Sequence, residues 1–132
     1  MNYQGYKELN CYKKARELRI SISALAKKFP SSEKFLLVAQ IIDSSRSITR
    51  NIAEGYGRFT YADTKNFFIM ARGSVTETME SLSTAHDENY ITDEELQSFT
   101  ALCEEVFRLI NGYISYLDRS KPVKRSAPKP NS

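Results

Sequence analysis

The chain has 132 residues, 41% of them apolar and 27% charged, with a formal net charge of +3. This suffices for one domain with a full-sized core and is too apolar and too weakly charged for a disordered chain. No run approaches the roughly 18 to 20 consecutive apolar residues that cross a bilayer, and the start MNYQGYKELN lacks the basic-then-apolar order of a signal peptide, so a cytoplasmic protein with no membrane partner is expected.

From Leu9 to Lys28, the residues Leu9, Tyr12, Ala15, Leu18, Ile22, Leu25 and Phe29 recur every three or four positions, which marks one stripe of a first helix. Pro30 ends it, and Ser31 or Ser32 offers the N-cap of a second helix. That helix runs to Glu54 through Leu37, Val38, Ile41, Ile42, Ser45, Ile48 and Ile52. Gly55 is placed to stop it in a left-handed conformation, and Gly57 to tighten the turn that follows.

Thr60-Tyr-Ala-Asp63 reads as a capping box for a third helix, which buries Phe67, Phe68, Ala71, Ser74, Val75, Thr78 and Leu82 and fades near Asn89-Tyr90. Gly73 in its middle costs about 1 kcal/mol relative to alanine, so a close helix crossing is expected there. Thr92-Asp-Glu-Glu95 is a second capping box, opening a fourth helix that reaches about Asp118. Four amphipathic helices with short turns and no strand pattern specify an all-α, up-down-up-down antiparallel four-helix bundle over residues 1–119. Residues 120–132, with three of the four prolines and no acid, are expected to form a disordered basic tail.

The residues that would carry chemistry are few. His86 is the single histidine, with Ser83 three positions before it, so the paired Glu-x-x-His motifs of a di-iron bundle are absent and a Ser-His-Asp device has no support. Cys11 and Cys103 lie far apart without a CxxC, which points to reduced, partly buried thiols rather than zinc ligands. The Gly55-Tyr-Gly57 corner lacks the GxxxxGK[ST] of a phosphate loop. We therefore expect no catalytic residue, metal, cofactor or small-molecule substrate.

Charge placement is more informative. Residues 1–58 carry eleven Lys and Arg against five Asp and Glu, a balance of +6, whereas residues 59–119 carry four against eleven, a balance of −7. Lys13, Lys14, Arg16 and Arg19 on the first helix and Arg46, Arg50 and Arg58 on or after the second can track phosphates, with Tyr56, Phe59 and Tyr61 stacking on unpaired bases. The same residues also fit solvated helix faces and aromatic plugs at the end of a core. Asn51 and Glu54 either contact a ligand at the corner or fix its geometry, Glu54 by pairing with an arginine and Asn51 by bonding a neighbouring helix.

Lys27-Lys-Phe-Pro30, Gln40-Ile41, Ser47-Ile48, the run Asn51-Ile-Ala-Glu-Gly-Tyr-Gly-Arg58 and Ala71-Arg-Gly-Ser74 with Glu77 together resemble the four-helix bundle proteins encoded by intervening sequences in bacterial 23S ribosomal RNA genes, the S23 ribosomal protein family. The likeness covers residues 7 to about 117. It implies the same antiparallel bundle and gives Asn51, Glu54, Gly55, Gly57, Gly73, Ser74 and Glu77 a structural role. It further implies a homo-oligomer, as a pentameric ring with positively charged surfaces. Through the similar accessory variability determinant proteins of diversity-generating retroelements, it implies binding of RNA or DNA and a reverse transcriptase partner. Where many members have an arginine pair after the Gln-Ile of helix two, this chain has Ile42 and Asp43. A head-to-tail ring would use the +6 and −7 halves for subunit contacts, in competition with nucleic acid.

Overall fold

The computed structural model describes residues 5–124. A short 3-10 turn at Gly5–Glu8 leads into α1 (Asn10–Ala26); α2 (Leu37–Tyr56), α3 (Tyr61–Asp87) and α4 (Asp93–Lys124) follow. The turns between them are short, so each helix reverses on its predecessor. Cross-links at the ends record that alternation. Lys28, just past α1, pairs with Glu95 at the start of α4, and Tyr61 at the start of α3 bonds Asp118 near the far end of α4. Each helix packs on the two that flank it and not on the one diagonal to it. The expected up-down-up-down antiparallel bundle is the fold.

The apolar stripes meet in one core. Leu18 and Ile22 of α1, Ile41, Ile48 and Ile52 of α2, Phe68, Val75 and Leu82 of α3, and Val106, Ile110 and Leu117 of α4 are all fully buried. Burial of such side chains contributes about 1.5–3 kcal/mol each, which is what fixes amphipathic helices of this length in place. Between α2 and α3 the seam is polar and narrow. Ser44 Oγ lies 2.8 Å from Thr78 Oγ1, Ser74 Oγ donates to Ser47 Oγ at 2.8 Å, and Asn51 Nδ2 donates to both Ser47 Oγ and the Ser47 carbonyl at 2.9 Å. Short hydroxylic side chains let the two backbones approach, and the mutual bonds satisfy groups that burial would otherwise leave stranded.

Several boundaries differ from the sequence reading. α2 does not begin after the serines: Ser31–Glu33 form a 3-10 turn, and the helix starts at Leu37, whose amide donates to Glu33 Oε1 at 3.2 Å. A glutamate side chain, not a serine, supplies the first acceptor. Phe35 and Leu36 consequently stay outside the core, 83% and 62% exposed.

At its other end α2 runs through Gly55 to Tyr56, and no residue there has positive φ. The left-handed stop expected at Gly55 is absent. Gly57 caps the helix at φ −83° and ψ −1°, its amide bonding the carbonyls of Ala53 and Glu54. Gly55 is required for clearance instead: a Cβ there would stand 2.8 Å from Phe67 Cβ and 3.0 Å from Phe68 Cδ1.

The close crossing thus sits at Gly55 and not at Gly73. Gly73 is exposed, with nothing within 4 Å of where its Cβ would be. The Thr60 cap is present, its Oγ1 accepting from the Asp63 amide at 3.1 Å. The Thr92–Glu95 box is fully reciprocal, at 3.0 Å and 2.9 Å. α4 continues beyond Asp118 to Lys124, and the remainder of the expected tail, residues 125–132, lies outside the described residues.

Candidate nucleic-acid interface

The candidate cations separate into two groups once their partners are known. Lys14 is held by Glu17 at 3.1 Å and Glu105 at 3.8 Å, and those carboxylates keep its ammonium charged to higher pH than usual. Lys13 faces Glu8 at 3.9 Å. Both lysines line a cleft between α1 and α4 that also contains Glu17 and Glu105, so the local field there is mixed. Arg58 is anchored at the corner, 3.0 Å from Glu54, with its guanidinium 4.6 Å from the centroid of the Phe67 ring. Its charge is matched and its planar face is occupied. These three cations serve the bundle's own surface.

Arg19, Arg46 and Arg50 differ. They have no ion pair among the described residues, and they share a groove between α1 and α2. One stretch of the groove is lined by Ile20, Ser23, Ala24, Lys27 and Ile42 beside Arg19 and Arg46, and the next by Tyr6, Tyr12, Thr49 and Arg50 beside the same two arginines. Among the described residues, no carboxylate lines either stretch.

The groove exists because α1 and α2 meet through small residues. Ser45 and Thr49 are buried at the seam, while Arg46 and Arg50, one turn apart on α2, extend from its rim. Arg19 reaches across from α1, its Nη1 donating to Thr49 Oγ1 at 2.9 Å, while Thr49 donates in turn to the Arg46 carbonyl at 3.1 Å. That relay holds one guanidinium in a fixed orientation without neutralising it, and a fixed uncompensated guanidinium is well suited to a phosphate oxygen.

Lys7, Arg16 and Lys34 are also without an ion pair among the described residues but stand outside the groove. Arg16 is exposed on α1, one turn before Arg19 and Ile20. Lys27 and the tyrosines Tyr6 and Tyr12 are groove residues that the sequence reading did not select. Lys27 stands two turns after Ile20 and Tyr12 two turns before Arg19, which is a usable signal, whereas Tyr6 is joined to the groove only by folding.

The corner aromatics are not a stacking platform as a set. Tyr61 is buried and its hydroxyl donates to Asp118. Burial, together with that carboxylate, pushes the hydroxyl up to about 12, so it remains a donor at any ordinary pH. Tyr61 plugs the bundle end. Phe59 remains 69% exposed, and Tyr56 is half-buried.

Among the motif residues, Asn51, Glu54, Gly55 and Ser74 act within the fold as described above, Asn51 by bonding Ser47 of its own helix and not the expected neighbouring one, and Gly57 caps α2. Gly73 and Glu77 do not: both are exposed on α3, and Glu77 has no ion pair among the described residues. Among the described residues neither makes a contact that would give it a structural role.

His86 Nε2 lies 2.5 Å from Asp93 Oδ1, bridging the α3–α4 turn. No group of three or more His, Cys, Asp or Glu among the described residues is arranged to hold a metal ion. Burial pushes the Cys11 thiol up to about 11 and the Cys103 thiol up to about 12, so neither is a thiolate near neutral pH. No helix of the described residues is long and apolar enough to cross a membrane.

A family model described as 23S rRNA-intervening sequence protein matches residues 7–112. Among solved structures, the chain is similar to a protein of unknown function from the S23 ribosomal protein family of Bacteroides thetaiotaomicron VPI-5482. The two are 28% identical with a TM-score of 0.74, over 80% of this chain and 95% of that one. No curated protein gives a significant match.

Proposed function

The chain belongs to the 23S rRNA-intervening sequence protein family, and on that premise we propose that it is a non-enzymatic, self-associating bundle that binds nucleic acid, structured RNA foremost, along the α1–α2 groove. One observation carries the reading. Arg19, Arg46 and Arg50 converge on a groove that no carboxylate lines, while Lys13, Lys14 and Arg58 are each matched by an acid. Clustered like charges destabilise a fold, and an anionic partner is what offsets them. A phosphate backbone supplies that charge in the right density.

Fluorescence polarisation with structured RNA and duplex DNA across a salt series tests the groove. Arg46→Gln with Arg50→Gln should weaken binding and reduce the slope of log K against log salt by about 1 to 2, because each lost phosphate contact contributes ~0.7–0.9. Lys13→Gln with Lys14→Gln should leave both nearly unchanged. No binding at low salt, or equal losses from the two pairs, would reject the groove.

A second reading, a structural homo-oligomer whose charged faces serve subunit contacts, is favoured by α3. Ile69 and Met70 are 37% and 52% exposed there, beside Gly73 with open space above it and Glu77, which has no ion pair among the described residues. A ring, pentameric by the likeness drawn from the sequence, would place such a face against the next copy, and a reverse transcriptase partner would dock on the assembled ring. A monomeric mass by light scattering would remove the oligomer from both readings.

A further inference from the structure

The cations of the groove differ in kind from one end to the other. Arg46 and Arg50 are one turn apart, about 5–6 Å between their Cβ atoms, and Arg19 is fastened to Thr49, the neighbour of Arg50. Three guanidiniums therefore surround one concavity at the Tyr6–Tyr12 end, whereas the other end shares Arg19 and Arg46 and has Lys27 in place of Arg50. Three guanidiniums bring more N–H donors to one concavity than the two free oxygens of a phosphodiester can use, and they suit a more highly charged group with more oxygens.

Tyr12 adds an independent requirement. It lines the same concavity, it is only 8% exposed, and its hydroxyl has no hydrogen-bond partner among the described residues. A hydroxyl with no protein partner on an otherwise buried side chain is open to a ligand that accepts from it. Tyr6 packs edge-on against the Tyr12 ring, with centroids 5.1 Å apart, which holds that ring in place.

We infer that the concavity of Arg19, Arg46, Arg50 and Tyr12 binds a terminal phosphate monoester, the end of a polynucleotide whose strand then runs along the groove towards Lys27. The inference rests on the groove reading above. A monoester carries about −1.5 to −2 charges at pH 7 and three terminal oxygens, against one charge for a phosphodiester. Arg19, oriented by Thr49, meets one oxygen; Arg46 and Arg50 close on the others from the α2 rim; and the Tyr12 hydroxyl donates to whichever oxygen points inward. Ile20, Ala24 and Ile42 then offer an apolar floor to the first nucleotides.

The test uses the full chain and internally labelled RNA strands of one sequence that carry a 5′-phosphate, a 3′-phosphate or no terminal phosphate. A strand with a terminal phosphate is expected to bind at least about tenfold more tightly than the strand without one. Arg19→Gln or Arg50→Gln should abolish the difference, Tyr12→Phe should reduce it, and Lys13→Gln should leave it intact. The advantage should also shrink below about pH 6, where the monoester takes up a proton while arginine stays charged. Calorimetry with a nucleoside 5′-monophosphate separates the sources. Affinity equal to that of the phosphorylated strand makes the free nucleotide the ligand, weaker binding makes it the strand end, and either keeps the monoester as the recognised group. Equal binding of all three strands would overturn the inference and leave the groove standing, whereas no binding of any strand at low salt would remove both.

Discussion

At Gly55 an added methyl group would have its carbon 2.8 Å from Phe67 Cβ, a distance that only a shift of α3 away from α2 can relieve. Gly55→Ala should therefore destabilise the protein by about 1–3 kcal/mol, the usual range for overpacking. Gly73→Ala should do the reverse, raising stability by about 0.5–1 kcal/mol, because its Cβ would meet nothing and alanine is the better helix former. Urea titrations of the two variants followed by circular dichroism decide between these signs, and a stabilised Gly55→Ala would refute the clearance argument. In the sequence the two glycines are indistinguishable in kind. Each interrupts a helical pattern, and each was assigned the role that the other position, or neither, fulfils. What separates them is the approach of Phe67 and Phe68, which lie across the corner and enter the argument only when α2 and α3 fold together. Ser74 was more legible, because a polar residue on the inward stripe must find a partner and Ser47 of α2 provides it, whereas Asn51 finds the same Ser47 within its own helix.

The helices themselves were readable from period alone, since a stripe of large apolar residues every three or four positions has one way to be buried. Their ends were less so. The start of α4 was visible because Thr92 and Glu95 satisfy each other locally, three residues apart. The start of α2 was not, because its acceptor Glu33 is positioned from a distance: the Tyr90 hydroxyl, in the α3–α4 turn, donates to Glu33 Oε2 at 2.8 Å. Glu95 also ties α4 to the end of α1 through Lys28, and the Lys28 ammonium followed by the Thr92 amide holds its carboxyl below the usual range. The sign of the pH effect follows. A group with a depressed folded-state pKa stabilises fully above its unfolded value, about 4.3, and loses that contribution as pH falls through the lower folded value. Melting temperatures of the wild type and Glu95→Gln should therefore differ at pH 7, with the wild type higher, and converge as pH drops below about 4. Thr92→Ala, which removes the other half of the box, should cost about 1 kcal/mol at either pH. A Glu95→Gln deficit that persists unchanged at pH 3 would mean that the carboxylate charge is not what the box uses.

Over the whole molecule the division into a +6 half and a −7 half was legible from composition, but which cations remain available was not. Lys14 meets Glu105, Lys28 meets Glu95 and Lys65 meets Asp118, in each case a residue of α4 more than fifty positions away. The first two pairs neutralise α1 and its end on the α4 side and leave the α2 side positive. The groove is therefore a consequence of the topology, which brings the acidic α4 beside one flank of α1 and the arginine-bearing α2 beside the other. This yields a prediction that separates binding from folding. A cation retained for packing loses stability when neutralised, whereas one retained for a ligand relieves repulsion. Arg46→Gln with Arg50→Gln should leave the melting temperature in low salt unchanged or raised by a few degrees, and should flatten its rise with added salt, since screening already relieves the same repulsion. Arg58→Gln, which breaks the Glu54 pair and the contact with Phe67, should lower it. If the Arg46 and Arg50 variant melts lower than Arg58→Gln, the groove arginines are structural. In that case the positive flank of α1 and α2 would be a packed surface rather than a receptor for phosphate.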